Sequence, residues 1–182
     1  MNIREAQREN RARFVGGFYG QLVSAILWLA GASLATWSTP RVAITTMVAG
    51  GFLIFPITEL LIRVNGAKRS LSPENSLPQL GMQVAFVLPF SMPLLIPIGQ
   101  HRLDLFFPAL TILLGAHYFP FVFLYGMRMF AVLGGLLVAG GVAMLMYLPQ
   151  PFPVAAWYTG GVLMVFAWVA RAIARTEGNL LH

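Results

Sequence analysis

The sequence predicts an all-α fold: a polytopic bundle of six transmembrane helices, preceded by a short amphipathic helix. Three observations carry this. Only 10% of the 182 residues are charged while 58% are hydrophobic, and the mean hydropathy is +0.74. Soluble domains carry about 25% charged residues, and so few charges cannot clothe a water-facing surface. The apolar residues gather in six runs of roughly 20, the length that crosses about 30 Å of hydrocarbon at 1.5 Å per residue. The charges fall between those runs or at their ends, Glu59 lying about one turn further in. A β-barrel would alternate apolar and polar residues, and these runs do not.

Residues 1–14 are polar and basic, with Arg4, Arg8, Arg11 and Arg13 set against Glu5 and Glu9. Glu9 and Arg13 are spaced i,i+4, which supports a helix. It is expected at the cytoplasmic membrane surface, its arginines near anionic headgroups. A cleaved leader is the competing reading. Two acids in the basic stretch and five further apolar segments favour an uncleaved first span.

The spans follow as Val15–Trp37, Val42–Val64, Leu80–Gly99, Phe106–Tyr125, Met127–Leu148 and Val154–Ala174, leaving 176–182 as a tail. The predicted organisation is 1–14, a membrane domain over 15–175, and that tail. Orientation comes from the basic residues. With six spans, one side holds Arg4, Arg8, Arg11, Arg13, Arg63, Lys68, Arg69, Arg128, Arg171 and Arg175, and the other only Arg41 and Arg102. Ten against two predicts both termini in the cytoplasm. Trp37, Tyr147, Trp157 and Tyr158 then fall at outer span ends, and Tyr125 and Trp168 towards inner ends, where interfacial aromatics are enriched.

Packing signals are of two kinds. Small residues recur every four positions in segment one (Gly16, Gly20, Ser24, then Ala32 beyond Trp28) and in segment five (Ala131, Gly135, Ala139, Ala143). Such stripes predict close helix–helix contact where lipid is as apolar as leucine. Segment three carries Pro89, Pro93 and Pro97, each lacking an N–H and crowding a carbonyl. That predicts a kinked or partly unwound helix packed against others, lining a cavity or simply bent. A weak echo links Gly51, Phe55, Pro56 and Leu60 to Gly115, Phe119, Pro120 and Leu124 at a constant offset of 64. It would relate two hairpins.

Candidate site residues are the polar groups within spans. Glu59 lies near the inner end of segment two, and an ionisable group in a span is a functional hypothesis by default. Arg63, four residues on, offers a helix-end salt bridge instead. His117 lies mid-span in segment four. Arg128 follows eleven residues later, about 20° of helical phase, and would share its face. Tyr118 and Tyr125, seven apart, also share a face. Gln21 could hydrogen-bond across helices near the inner end of segment one. Each of these could line one polar cavity, and each alone could be structural.

Other chemistries lack their residues. The sequence has no cysteine, so disulfides and thiolate sites are excluded. Three histidines, one of them His182, give no metal-ligand spacing, and no P-loop, H-E-x-x-H or G-x-S-x-G occurs. No lysine lies in a span, so a retinal-type Schiff base is unavailable. No metal, cofactor or catalytic set is expected. The basic residues form no patch on a soluble scaffold, so nucleic acid is not an expected partner. The bilayer is, together with a second copy or a partner membrane protein. Asp104, beside His101 and Arg102, reads as solvated loop charge.

Several stretches carry a resemblance: Met1 through Arg8, Gly50-Gly51-Phe52-Leu53-Ile54-Phe55-Pro56, and Gly115-Ala116-His117-Tyr118-Phe119-Pro120-Phe121 continuing to Met127. On these the chain resembles an uncharacterised family of bacterial multi-pass membrane proteins, classed as a domain of unknown function. The resemblance implies a bacterial plasma-membrane protein and supplies no activity. The residues favour small-solute or ion transport or binding between segments two, three and four. The alternative is an accessory membrane protein that carries nothing.

Overall fold

Among the described residues, 1–65, 71–147 and 151–179, the computed structural model contains seven α-helices and no strand. Lys68 and Arg69 of the charge count, the predicted span end at Leu148, and 180–182 of the tail lie outside them. The helices are α1 (Ile3–Phe14), α2 (Phe18–Trp37), α3 (Pro40–Val64), α4 (Leu77–His101), α5 (Leu103–Tyr125), α6 (Met129–Met146) and α7 (Val154–Asn179). Six are long and apolar enough to cross a membrane, α2 being the membrane part of the first. The chain is a multi-pass membrane protein, with span limits within a few residues of those predicted.

The N-terminal helix starts on a capping box. The Asn2 side chain accepts from the Glu5 N–H, and the Glu5 carboxylate accepts from the Asn2 N–H. It ends at Val15, Gly16 and Gly17, whose φ values are 50°, 62° and 84°. Glycine takes such angles freely, whereas a β-branched valine pays about 1–2 kcal/mol. Segment one therefore does not run on from Val15. A short 3-10 turn separates α1 from α2, seated so closely on α7 that a Cβ at Gly16 would lie 3.1 Å from the Ala170 carbonyl oxygen.

The helices pack in a ring, in the order α3, α2, α7, α6, α5, α4, with the broadest contacts between α5 and α6 and between α2 and α7. Each close crossing has a glycine. Gly31 receives Met47, Gly50 receives Leu27, and Gly20 faces Thr58. A Cβ at Gly115 would fall 2.9 Å from the Gly134 carbonyl oxygen, and one at Gly134 would fall 2.8 Å from that of Gly115. Gly141 meets Pro108 and Ile112 in the same way. The contact face of α6 is thus Phe130, Leu133, Gly134, Leu137 and Gly141. The predicted stripe of Ala131, Gly135, Ala139 and Ala143 is not that face: Gly135 has open space around it and Ala139 is exposed. The echo between segments two and four is likewise not repeated in packing, since Gly51 meets nothing while Gly115 anchors α5 to α6.

Polar groups tie the ring. Thr111 and Thr159, both fully buried, place their hydroxyls 2.8 Å apart between α5 and α7. Trp157 donates its indole N–H to Thr36 at 3.1 Å, and its ring stands edge-on to Trp37. At the other end, Arg171 lies over the Phe18 and Trp168 rings.

The ring does not close evenly. α3 and α4 touch over only a short stretch and bury the least of themselves. For the triple-proline segment the outcome is divided. α4 is one continuous helix through Pro89, Pro93 and Pro97, so it is not unwound, and it packs on α5 as expected, while Pro93 and Pro97 face outward. The predicted outer loop over 99–105 is reduced to Arg102, which breaks the helix at φ −141°. Arg102 forms a two-point ion pair with Asp104, at 2.9 and 3.1 Å, so Asp104 is not a free loop charge.

Candidate functional site

The uneven closure leaves a cavity of about 560 Å³ between α2, α3, α4 and α5. That is within the roughly 300–1,000 Å³ of small-molecule sites. All five residues singled out from the sequence line it: Gln21, Glu59, His117, Tyr118 and Tyr125. They come from three helices, and their convergence follows from one cost. A polar side chain in a span is expensive in lipid, so each turns inward to the same interior.

Gln21 sits in the first turn of α2 at 3% exposure, and neither its amide nitrogen nor its oxygen has a partner. One turn on, the Ser24 hydroxyl lies beside that of Tyr118. Thr58 and Glu59 occupy the last two turns of α3. The close approach at Gly20 brings Thr58 against α2, and its hydroxyl is also without a partner. His117 is half-buried, its ring beside the Val84 backbone of α4, and its Nδ1 has no partner. An aromatic cluster holds the tyrosines in place. The Phe130 ring, fully buried on α6, lies 6.1 Å from Tyr118, 5.5 Å from Phe121 and 5.4 Å from Tyr125. Tyr125 accordingly faces the cavity and not the lipid interface.

The cavity is closed at this end by α1, which does not lie free on the membrane surface. A helix leaves its last carbonyls without partners, and α1 supplies donors to those of α5. Gln7 donates to the Phe123 carbonyl at 2.6 Å, Asn10 to that of Leu124 at 3.3 Å, and Arg11 to that of Tyr125. Asn10 is 3% exposed, lines the cavity, and keeps its own side-chain oxygen unpartnered. Across the start of α4, Asn75 donates to the Ala6 carbonyl and to Glu9, and Ser72 donates to Glu9 through its hydroxyl and its N–H. These bonds, that of the Ser72 hydroxyl first, hold the Glu9 carboxyl below its ordinary pKa.

Two predicted pairings are therefore replaced. Glu9 is bonded to Ser72 and Asn75 and not to Arg13. Arg13 instead reaches Glu59, at 3.6 Å, so Glu59 is paired with α1 and not with Arg63. Arg63 only borders a shallow depression on the outer side of Glu59. His117 and Arg128 do not share a helix, because Gly126 (φ +62°) ends α5 first.

Four residues, Asn10, Gln21, Thr58 and His117, thus bring five buried, partnerless polar atoms to one cavity. Each such atom costs about 1–3 kcal/mol when nothing meets it. Asn10, Thr58, Ser24 and Arg13 were not found from the sequence. Thr58 and Ser24 look like ordinary span hydroxyls that bond their own helix. Asn10 and Arg13 sit in a stretch whose composition reads as surface. No three His, Asp or Glu side chains converge among the described residues, and the partnerless atoms are hydrogen-bond donors and acceptors.

The sequence model of the family of unknown function DUF7010 matches residues 3–172, and the chain belongs to that family. No curated protein and no solved structure matches the chain.

Proposed function

We propose that this member of a family of unknown function binds a small solute in the cavity between α2, α3, α4 and α5 and carries it across the membrane. One observation supports the reading most: five partnerless buried polar atoms, from four residues on four helices, face a single space of about 560 Å³. A purely structural bundle gains nothing from such groups, whereas a ligand that meets them restores their hydrogen bonds. Glu59 and His117 are the titratable groups of the site and the candidates for proton coupling. The reading assigns no catalytic role. It takes the protein to lie in a bacterial plasma membrane, with both termini cytoplasmic and α1 closing the inner end of the cavity. The ten-to-two division of basic residues supports that orientation.

The test is a solute panel scored by thermal shift in nanodiscs, since a ligand of the folded state raises its stability. At least one solute should stabilise the wild type, and Gln21→Leu or His117→Ala should remove that shift without loss of the folded protein. Uptake into proteoliposomes should fall with the same substitutions. No stabilising solute, and no effect of either substitution beyond stability, favours the accessory reading. Because the chain has no cysteine, single substitutions Ser38→Cys and Asn65→Cys report orientation directly. Only Ser38→Cys should react with an impermeant maleimide added outside.

A further inference from the structure

Resting on that reading of the cavity, we propose that its ligand is a single-chain amphipath with an uncharged, hydroxyl-bearing head, such as a monoacylglycerol, entering sideways between α3 and α4. The cavity is polarised along its length. Its hydrogen-bonding groups lie on the first two turns of α2, the last two of α3, the second half of α5 from His117 on, and α1, which all belong to the half of the cavity nearer α1. Towards the other end the lining is apolar: Leu27, Trp28, Met47, Val48, Met92 and Leu110. A water-soluble solute would leave that half unmatched. A bare hydrocarbon would leave the five polar atoms unmatched. An amphipath matches both.

The head's chemistry follows from what awaits it. Asn10 offers an acceptor, Gln21 a donor and an acceptor, Thr58 a hydroxyl that does either, and His117 a ring nitrogen. Hydroxyl groups, which donate and accept, complement such a mixed set. Glu59 is the charged side chain that lines the cavity, and Arg13 pairs with it. An anionic head would meet Glu59, and a cationic one would have to displace Arg13 from Glu59. The entry follows from the fold. α3 and α4 close the ring so weakly that the cavity opens to the side, towards lipid, while α1 covers its end.

The experiment uses Trp28, which lines the apolar half, as the reporter. Trp37, Trp157 and Trp168 are replaced by Phe, and the full chain is placed in nanodiscs. A dibrominated monoacylglycerol should quench Trp28 saturably and be displaced by its unbrominated form. A fatty acid and an alkyltrimethylammonium of equal chain length should need at least tenfold more to displace it. Gln21→Leu and Thr58→Val should each weaken quenching about tenfold. Thr58→Val preserves shape and serves if Gln21→Leu does not fold, and the head-group series needs no further variant. Better displacement by a charged chain overturns the uncharged head, better displacement by a water-soluble solute overturns the amphipath class, and either leaves the binding cavity standing. Unsaturable quenching, equal for every chain and for brominated bilayer phospholipid and unchanged by Thr58→Val, overturns both.

Discussion

The Arg13 guanidinium lies 3.6 Å from the Glu59 carboxylate, an ion pair that joins the last turn of α1 to the C-terminal end of α3. The two side chains are 20% and 22% exposed, and at 3.6 Å the contact is long for an ion pair, so its worth is about 0.2–1 kcal/mol. In a double-mutant cycle, Arg13→Gln and Glu59→Gln should couple by that amount in unfolding measurements in detergent. The cycle of Glu59→Gln with Arg63→Gln should show no coupling. Equal coupling in both cycles would mean that Glu59 divides itself between α1 and its own helix.

Gly126 ends α5 with φ +62°, and a Cβ there would lie 2.6 Å from the Gln7 side-chain oxygen. Gly126→Ala therefore meets backbone strain of about 1–2 kcal/mol and displaces the donor of the Phe123 carbonyl. It should lower thermal stability and speed hydrogen exchange across α1. Unchanged exchange in α1 would detach the helix from this role.

Gly134 and Gly135 are neighbours with opposite prospects. Gly134→Ala puts a methyl group into the α5 backbone and should cost about 1–3 kcal/mol, as should Gly115→Ala. Gly135→Ala enters open space and should be neutral, or stabilise by up to about 1 kcal/mol through helix propensity. Unfolding midpoints of the three variants decide it, and a loss at Gly135 equal to that at Gly134 would rotate α6 from the face described.

The Glu9 carboxyl is held below its ordinary pKa of 4.5 by the Ser72 hydroxyl, then Asn75, then the Ser72 N–H. Its folded-state pKa is the lower one, so its contribution is complete above pH 4.5 and fades as pH falls through the depressed value. Labelling of an Ala6→Cys variant, taken relative to an unfolded control at the same pH to remove the titration of the thiol itself, should be constant from neutral pH down to about 5 and rise only in stronger acid. Glu9→Gln should make that labelling insensitive to pH. A rise near neutrality would place the titrating group elsewhere.

The spans were legible because hydrocarbon tolerates so few sequences. The cavity's five predicted residues were legible for the same reason, since a polar group in a span has only the interior to face. The partner of Glu59 was not legible. An i,i+4 argument sees only its own helix, and Arg13 arrives from another. The face of α6 was missed because glycine and alanine are so frequent there that stripes of several phases can be drawn, and only contact with Gly115 selects among them. The prolines of α4 misled in the other direction. They weaken hydrogen bonding within the helix, yet the helix stays continuous and exposes two of them. The closure by α1 was hidden by composition, because arginine and asparagine that satisfy helix-end carbonyls look like residues that meet water.

The bonds from Gln7, Asn10 and Arg11 to Phe123, Leu124 and Tyr125 also set an order of assembly. Synthesis runs from the N-terminus, yet the docking place of α1 exists only once α5 has been made and inserted. Made before α5, α1 must wait, undocked, while α2, α3, α4 and α5 enter the bilayer ahead of its settling. Maturation is then marked by the moment α1 finds its seat, and truncation before Phe123 should leave α1 open to proteases however well the spans before α5 have inserted.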